Sequence, residues 1–66
     1  MVIDYGTLIK TRRQKLGLSQ GKLADAACVH RTTVWSIETG NGCNLDRFLS
    51  VVNALGLKID FREVDE

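Results

Sequence analysis

The chain lacks proline, has two cysteines among its 66 residues, and contains no long apolar run. Two cysteines are too few for the disulfide framework of a small secreted domain, so Cys28 and Cys43 are expected to be reduced thiols that act as small apolar side chains. The longest apolar stretches are a few residues long, which is too short for a signal-peptide core or a membrane span. These absences favour a cytoplasmic protein without a membrane partner.

The net charge of +1 is small, but the charges are distributed unevenly along the chain. Residues 1–40 carry six basic and three acidic side chains, a net charge of +3. Residues 41–66 carry three basic and five acidic side chains, a net charge of −2. Because a polyanion attracts the first segment and repels the second, any nucleic acid is expected to bind a surface formed by residues 1–40.

A chain of this length forms one domain, and its apolar residues recur at helical spacing in four segments. Residues 1–66 are therefore predicted to form a single, mainly α domain of four helices. Asp4, Ser19 and Asn44 are favourable N-cap residues for the first, second and fourth helices. The side chains expected to face the core are Tyr5, Leu8, Ile9, Leu16, Leu23, Ala24, Ala27, Thr33, Val34, Ile37, Leu45, Phe48, Leu49, Val52 and Leu55.

Residues 19–39 are the most informative segment, because they predict two short helices joined by a tight turn. Ser19 begins the first of these helices, and the turn lies at Cys28. The second helix is expected to run from about Arg31 to Thr39, with one apolar face and one polar face that is free to contact a ligand. Such a helix-turn-helix motif can place its second helix in the major groove of DNA.

Residues 57–62 alternate between apolar and polar side chains, which predicts a β-strand with one buried face. Leu57, Ile59 and Phe61 would occupy that face. Because a single strand leaves its backbone groups unpaired, we expect it to pair with its copy in a second chain, as a short antiparallel ribbon across a homodimer. The alternative is a tail that folds back on its own subunit or has no fixed structure.

The helix-turn-helix segment contains, in order, Leu16-Gly17-Leu18-Ser19-Gln20, Leu23-Ala24, Val29, Thr33-Val34 and Ile37-Glu38. Through these residues, roughly positions 7–56 resemble the lambda-repressor-like family, also called Cro/C1 or XRE. The C-terminal region resembles the HipB-type antitoxin subgroup, whose C-terminal strand pairs with its copy, through Asn44-Leu45-Asp46-Arg47-Phe48-Leu49, Ala54-Leu55-Gly56-Leu57 and the alternating strand. One position departs from the family, because Cys28 stands where the turn usually has glycine. The turn is therefore either strained in a left-handed conformation or relaxed into another geometry.

The resemblance implies a dimeric, sequence-specific DNA-binding repressor that reads a palindromic double-stranded operator. The subgroup implies an antitoxin that represses its own genes and binds a HipA-like kinase toxin. The nearest alternative is a stand-alone or phage-type regulator without a toxin, and a second is a protein-interaction adaptor that does not bind DNA. Such a repressor would be cytoplasmic and associated with the nucleoid when bound to DNA.

The resemblance also assigns roles to individual side chains. The side chains expected to contact bases are His30, Arg31, Thr32 and Trp35, and those expected to contact phosphates are Gln20, Ser36, Lys10 and Asn41. Arg13 and Glu38 correspond to a structural salt bridge that joins the first helix to the third. Trp35 could instead pack on the core or at a dimer seam. Three basic residues of the first helix, Lys10, Arg12 and Lys15, could either contact phosphates or form a solvated face.

Cys28, His30 and Cys43 are the residues from which a metal site or a nucleophilic catalyst would have to be built. Their spacing matches no common zinc motif. A Cys–His nucleophile would also need a substrate pocket, which a chain of this size does not easily form. The sequence therefore predicts no metal, no cofactor and no enzymatic activity.

Overall fold

The computed structural model describes residues 4–59, which form four helices in the order α1 (Tyr5–Lys15), α2 (Gln20–Ala27), α3 (Arg31–Glu38) and α4 (Leu45–Ala54). The prediction of a mainly α, four-helix domain is confirmed. No helix within residues 4–59 is long and apolar enough to cross a bilayer.

The predicted strand at residues 57–62 is not seen in the part of it that the structure describes. Residues 57–59 form no regular secondary structure, and residues 60–62, which include Phe61, lie outside the described residues. A lone strand has no backbone partner within its own subunit, so the structure of one chain does not test the pairing. The strand and its pairing across a dimer stay predictions.

The helices begin where the sequence predicts, because Asp4, Ser19 and Asn44 cap α1, α2 and α4. Each side chain accepts a hydrogen bond from the backbone N–H three residues later, at 3.0, 3.1 and 2.9 Å respectively. Hydrogen bonds from the hydroxyl and the N–H of Thr7 also hold the pKa of Asp4 below its ordinary value. His30 is the N-cap residue of α3, but its side chain makes no capping hydrogen bond.

The core of the described region lies where α2, α3 and α4 meet, with one contribution from α1. Its buried side chains are Ile9, Leu23, Ala24, Ala27, Val34, Ile37, Val51, Val52 and Leu55. The inward faces predicted for α2 and α3 are therefore confirmed, although Thr33 is only half-buried. Val51 is fully buried although it stands beside the predicted stripe of α4, whereas Phe48 and Leu49 are half-buried.

Four side chains predicted to face the core are exposed instead. Tyr5, Leu8 and Leu16 expose 54%, 53% and 45% of their surfaces, and Leu45 exposes 62%. The reason is that α1 packs mainly against α3, where Gly6 lets it approach closely. The side of α1 that carries Tyr5 and Leu8 therefore borders α4 without being covered by it.

The contact between α1 and α3 is closest at Gly6. A Cβ atom built on Gly6 would lie 2.7 Å from the carbonyl oxygen of Ile37 and 2.8 Å from that of Glu38. Because both oxygens belong to the backbone, no side-chain movement could relieve these contacts. Gly6 therefore sets the distance at which α1 meets the end of α3, and the apolar pattern of the sequence gives no sign of this.

The turn between α2 and α3 is left-handed at Cys28 and has not relaxed into another geometry, which decides between the two outcomes that the sequence left open. Cys28 has φ 57° and ψ 40°, and it is the one non-glycine residue within residues 4–59 with a positive φ. Its N–H donates to the carbonyl of Asp25 at 3.2 Å, and the N–H of Val29 donates to that of Ala24 at 3.0 Å. This closes the C-terminus of α2 in the way that glycine usually does.

Candidate DNA-binding surface

The outer face of α3 carries three of the four side chains predicted to contact bases. Arg31, Thr32 and Trp35 are exposed, while Val34 and Ile37 on the opposite face are buried in the core. Trp35 exposes 51% of its surface, so in the single chain it does not fold back onto the core. Residues four apart share a helix face, so Arg31 and Trp35 point in the same direction. The fourth predicted residue, His30, is exposed immediately before the helix begins.

The end of α3 holds two of the predicted phosphate contacts in a hydrogen-bonded loop. The backbone carbonyl of Ser36 accepts hydrogen bonds from the N–H groups of Asn41 and Gly42 at 2.9 and 3.1 Å. The Asn41 amide donates to the hydroxyl of Thr39 at 3.2 Å, and that hydroxyl donates to the carbonyl of Trp35 at 2.8 Å. Ser36 and Asn41 are therefore close together, at the opposite end of α3 from Arg31.

A buried ion pair ties α3 to α1. Arg13 donates from Nε to Glu38 Oε2 at 2.7 Å and from Nη2 to Glu38 Oε1 at 3.0 Å, and its Nη1 donates to the carbonyl of Leu18 at 2.8 Å. The two side chains are only 11% and 3% exposed. The hydrogen bond to Glu38 raises the pKa of Arg13 above its ordinary value, against the opposing effect of burial. The pair therefore fixes the end of α3 relative to α1.

The same carboxylate also holds Gln20, the predicted phosphate contact at the start of α2. Gln20 Nε2 donates to Glu38 Oε1 at 3.3 Å. Because an ionised carboxylate only accepts hydrogen bonds, the amide nitrogen of Gln20 must face it, and the second N–H of that nitrogen can still donate elsewhere. The first backbone N–H groups of any helix lack an acceptor within the helix, and in α2 that of Lys22 is satisfied by Ser19. Through Glu38, the start of α2 and the end of α3 form one unit.

Three basic residues of α1 have different surroundings. Lys10 is exposed and follows Gly6 by four residues and precedes Arg13 by three, so it lies on the side of α1 that faces the end of α3. Arg12 Nε instead donates to the carbonyl of Leu55 at 3.1 Å, where it satisfies the C-terminus of α4. Lys15 is exposed in the last turn. The single solvated face considered for these residues is therefore wrong for Arg12.

Sequence reasoning missed the contact between Gln20 and Glu38 and the close approach at Gly6. The spacing of Gly6, Lys10 and Arg13, at i, i+4 and i+7, was a signal for the second feature, because it places a residue without a side chain on the stripe that carries the ion pair.

Within residues 4–59 no group of three potential metal ligands is found. Cys28 and Cys43 are both exposed free thiols. Partial desolvation by neighbouring atoms still raises the pKa of Cys43, and the positive charge of Arg47 opposes this.

The comparison with known families agrees with this arrangement. The family model described as helix-turn-helix matches residues 9–62, which is most of the chain and includes α2, the Cys28 turn and α3. No curated protein matches the chain. A short helix pair with an exposed, polar second helix and a match over this length identify one family. The chain belongs to the Cro/C1-type helix-turn-helix family of DNA-binding transcription regulators.

Proposed function

We propose that the protein is a sequence-specific transcriptional repressor that inserts α3 into the major groove of its operator. The observation that carries the proposal is the division of α3 into two faces. Val34 and Ile37 anchor one face in the core, while Arg31, Thr32 and Trp35 are exposed on the other. A helix of this kind, held rigidly at its back, presents side chains to base edges without first ordering itself.

Each exposed side chain suits a different part of the groove. Arg31 can donate a bidentate pair of hydrogen bonds to O6 and N7 of guanine, and Thr32 can offer a hydroxyl or a methyl group. Trp35 provides apolar area for thymine methyl groups or sugar edges, one turn further along α3. His30 stands next to the first turn, where an imidazole N–H or nitrogen can reach a neighbouring base.

The phosphate contacts are proposed on either side of the groove. Gln20, fixed by Glu38, and the N-terminus of α2 would bind one backbone phosphate. Ser36 and Asn41, at the far end of α3, would meet another, and Lys10 would contribute charge from α1. These contacts orient α3 but read no sequence, so affinity from them is expected on any DNA.

We further propose that two copies bind a palindromic operator as a homodimer through residues 57–62. Support comes from the described part of that segment, where Leu57 and Ile59 are half-buried and Lys58 between them is exposed. This is the alternation that a strand with one covered face requires. Pairing across a two-fold axis would place two copies of α3 about one turn of DNA apart.

The antitoxin role and the HipA-like kinase toxin are supported by the resemblance of the C-terminal region alone. A kinase-like gene beside the gene for this chain and co-purification of its product with the repressor would support them. A regulator that works without a toxin is the alternative when neither is found. The DNA-binding proposal does not depend on this outcome.

The proposal is tested by selecting bound sequences from a random DNA pool and then measuring affinities for the selected operator and for random DNA. Arg31→Ala should weaken operator binding by about 1–3 kcal/mol and relax the preference at one base pair. Arg47→Ala, which removes the same charge from an exposed position on α4, is the matched control and should keep the preference. An Arg31→Ala protein with unchanged affinity and preference would show that α3 does not read the groove, and no selected sequence at all would favour the adaptor alternative.

A further inference from the structure

The backbone closes the end of α3 by itself. The N–H groups of Asn41 and Gly42 donate to the carbonyl of Ser36 at 2.9 and 3.1 Å, and the N–H of Gly40 donates to that of Ile37 at 3.2 Å. Gly40 has a φ of 86°, the left-handed conformation that this kind of helix end requires. The carbonyls of Ser36 and Ile37 are therefore satisfied without a side chain.

Two exposed side chains, Thr39 and Asn41, form a hydrogen-bonded pair beside this closed backbone. Asn41 Nδ2 donates to Thr39 Oγ1 at 3.2 Å, and the Thr39 hydroxyl donates to the carbonyl of Trp35 at 2.8 Å. The same carbonyl also accepts the backbone N–H of Thr39 at 3.0 Å. Because the Trp35 carbonyl already has a backbone donor, the hydroxyl is not needed to complete the helix end.

The pair can donate in one direction only. A carbonyl oxygen only accepts hydrogen bonds, so the single proton of the Thr39 hydroxyl points to the carbonyl of Trp35. The hydroxyl can then only accept from Asn41, and the amide nitrogen of Asn41 must face it. This decides between the two orientations of the amide. The Asn41 side chain is exposed, so its second N–H can still donate to a ligand from solvent.

The orientation of this amide matters for a phosphate. A phosphate oxygen only accepts hydrogen bonds, so it is attracted by the amide nitrogen and repelled by the amide oxygen. An unrestrained asparagine would have to order its side chain on binding, which weakens affinity by about two- to tenfold. An asparagine that Thr39 already holds avoids most of that loss.

We propose that Thr39 is a positioning residue for DNA binding, whose hydroxyl turns the Asn41 amide so that its second N–H faces a backbone phosphate. The inference rests on the proposed function, in which Asn41 contacts a phosphate, and adds a residue that touches no DNA itself. Because the same hydroxyl is bonded to the carbonyl of Trp35, the phosphate donor is fixed to the helix that carries the proposed base contacts.

Nuclear magnetic resonance of the full chain without DNA tests the hydrogen bond. Thr39→Val removes the hydroxyl and keeps the branched shape, whereas Thr39→Ser keeps the hydroxyl. The side-chain amide resonances of Asn41 should move toward those of an unstructured asparagine in Thr39→Val and stay close to the parent's in Thr39→Ser. Melting temperatures should change by less than about 4 °C in both variants, because the position is exposed. Parent resonances that already match an unstructured asparagine would overturn the proposal.

DNA binding, measured by fluorescence anisotropy, tests the consequence of the hydrogen bond. Thr39→Val should weaken binding to the operator and to random DNA by the same factor, about two- to fivefold, because a phosphate contact reads no sequence. Thr39→Ser should recover most of that loss. In an Asn41→Ala protein, Thr39→Val should cause no further loss, because no amide is left to position.

A merely structural role of Thr39 would instead give the same loss with Asn41 present and absent, and that result would overturn the proposal. Unchanged affinity in Thr39→Val or in Asn41→Ala would overturn it as well. Both results would leave the proposed function standing as long as Arg31→Ala weakens operator binding. A parent protein that binds no DNA would refute the proposed function together with this proposal.

Discussion

Cys28 adopts the backbone conformation that the turn requires, although that conformation is unfavourable for a residue with a side chain. The turn between α2 and α3 needs a left-handed residue, and here a side chain with a Cβ atom adopts φ 57°. This conformation costs a non-glycine residue roughly 1–2 kcal/mol. The departure was visible in the sequence because the rest of the motif fixes the position of the turn. The structure adds that the turn has its usual hydrogen bonds, with Cys28 and Val29 as donors.

Replacing Cys28 by glycine should therefore stabilise the protein. Glycine removes the left-handed strain but gains entropy in the unfolded chain, so the free energy of unfolding is expected to rise by about 0.5–1 kcal/mol. Urea denaturation measures this difference. Cys28→Ala is the matched control, because it also removes the thiol but keeps a Cβ atom at positive φ. Stabilisation by alanine as large as that by glycine would mean that the thiol, and not the backbone, is responsible.

At Gly6 in α1, replacing the glycine is expected to destabilise the protein. Gly6→Ala should lower the free energy of unfolding by about 1–3 kcal/mol, because the new methyl group meets two backbone carbonyl oxygens and pushes α1 away from α3. Gly21→Ala in α2 is the control, since its Cβ atom would have Ser19 Oγ as its nearest neighbour, at 3.9 Å. That variant should gain about 0.5–1 kcal/mol from helix propensity. Thermal unfolding of both variants, each against the parent, separates the steric effect from propensity.

At the scale of helices, the sequence predicted where each helix begins better than which of its side chains are buried. Helix starts follow from local chemistry, because Asp4, Ser19 and Asn44 each act within three residues of themselves. Burial depends on what packs against a helix, which periodicity does not contain. Tyr5 and Leu8 share the apolar side of α1 as predicted, yet they border a groove because Gly6 draws α1 toward α3.

The ion pair between Arg13 and Glu38 holds α1 against α3, and its contribution to stability can be predicted. Arg13→Met should destabilise the protein by about 3–5 kcal/mol, because it leaves the nearly buried carboxylate of Glu38 without its partner. The double variant Arg13→Met, Glu38→Leu should be more stable than Arg13→Met alone, since no charge is then left buried. Lys10→Met, on the same side of α1 but exposed, is the control and should change stability by less than about 0.5 kcal/mol. A double variant less stable than the single one would show that the carboxylate of Glu38 does not destabilise the protein when Arg13 is absent.

For the whole molecule, the packing of α1 determines what each of its two sides does. One side contacts α3 and supports the proposed DNA-binding surface through Arg13 and Glu38. The other side is uncovered within residues 4–59 and forms an apolar groove with α4. The exposure of the candidate base contacts could be predicted from the sequence, because the motif fixes which residues of α3 are external. The link from Gln20 to Glu38 could not, because it joins residues 18 positions apart through a geometry that only the folded helices create.

That link leads to a prediction about DNA binding by the whole protein. If Gln20 binds a phosphate, Gln20→Ala should weaken binding to operator and random DNA by the same amount, about 0.5–1.5 kcal/mol. Because Gln20 is neutral, the slope of log affinity against log salt should not change, whereas Lys10→Ala should reduce that slope by about 1. Fluorescence anisotropy at several salt concentrations measures both quantities. Loss of affinity for the operator alone would instead place Gln20 on a base, and an unchanged slope for Lys10→Ala would remove Lys10 from the phosphate contacts.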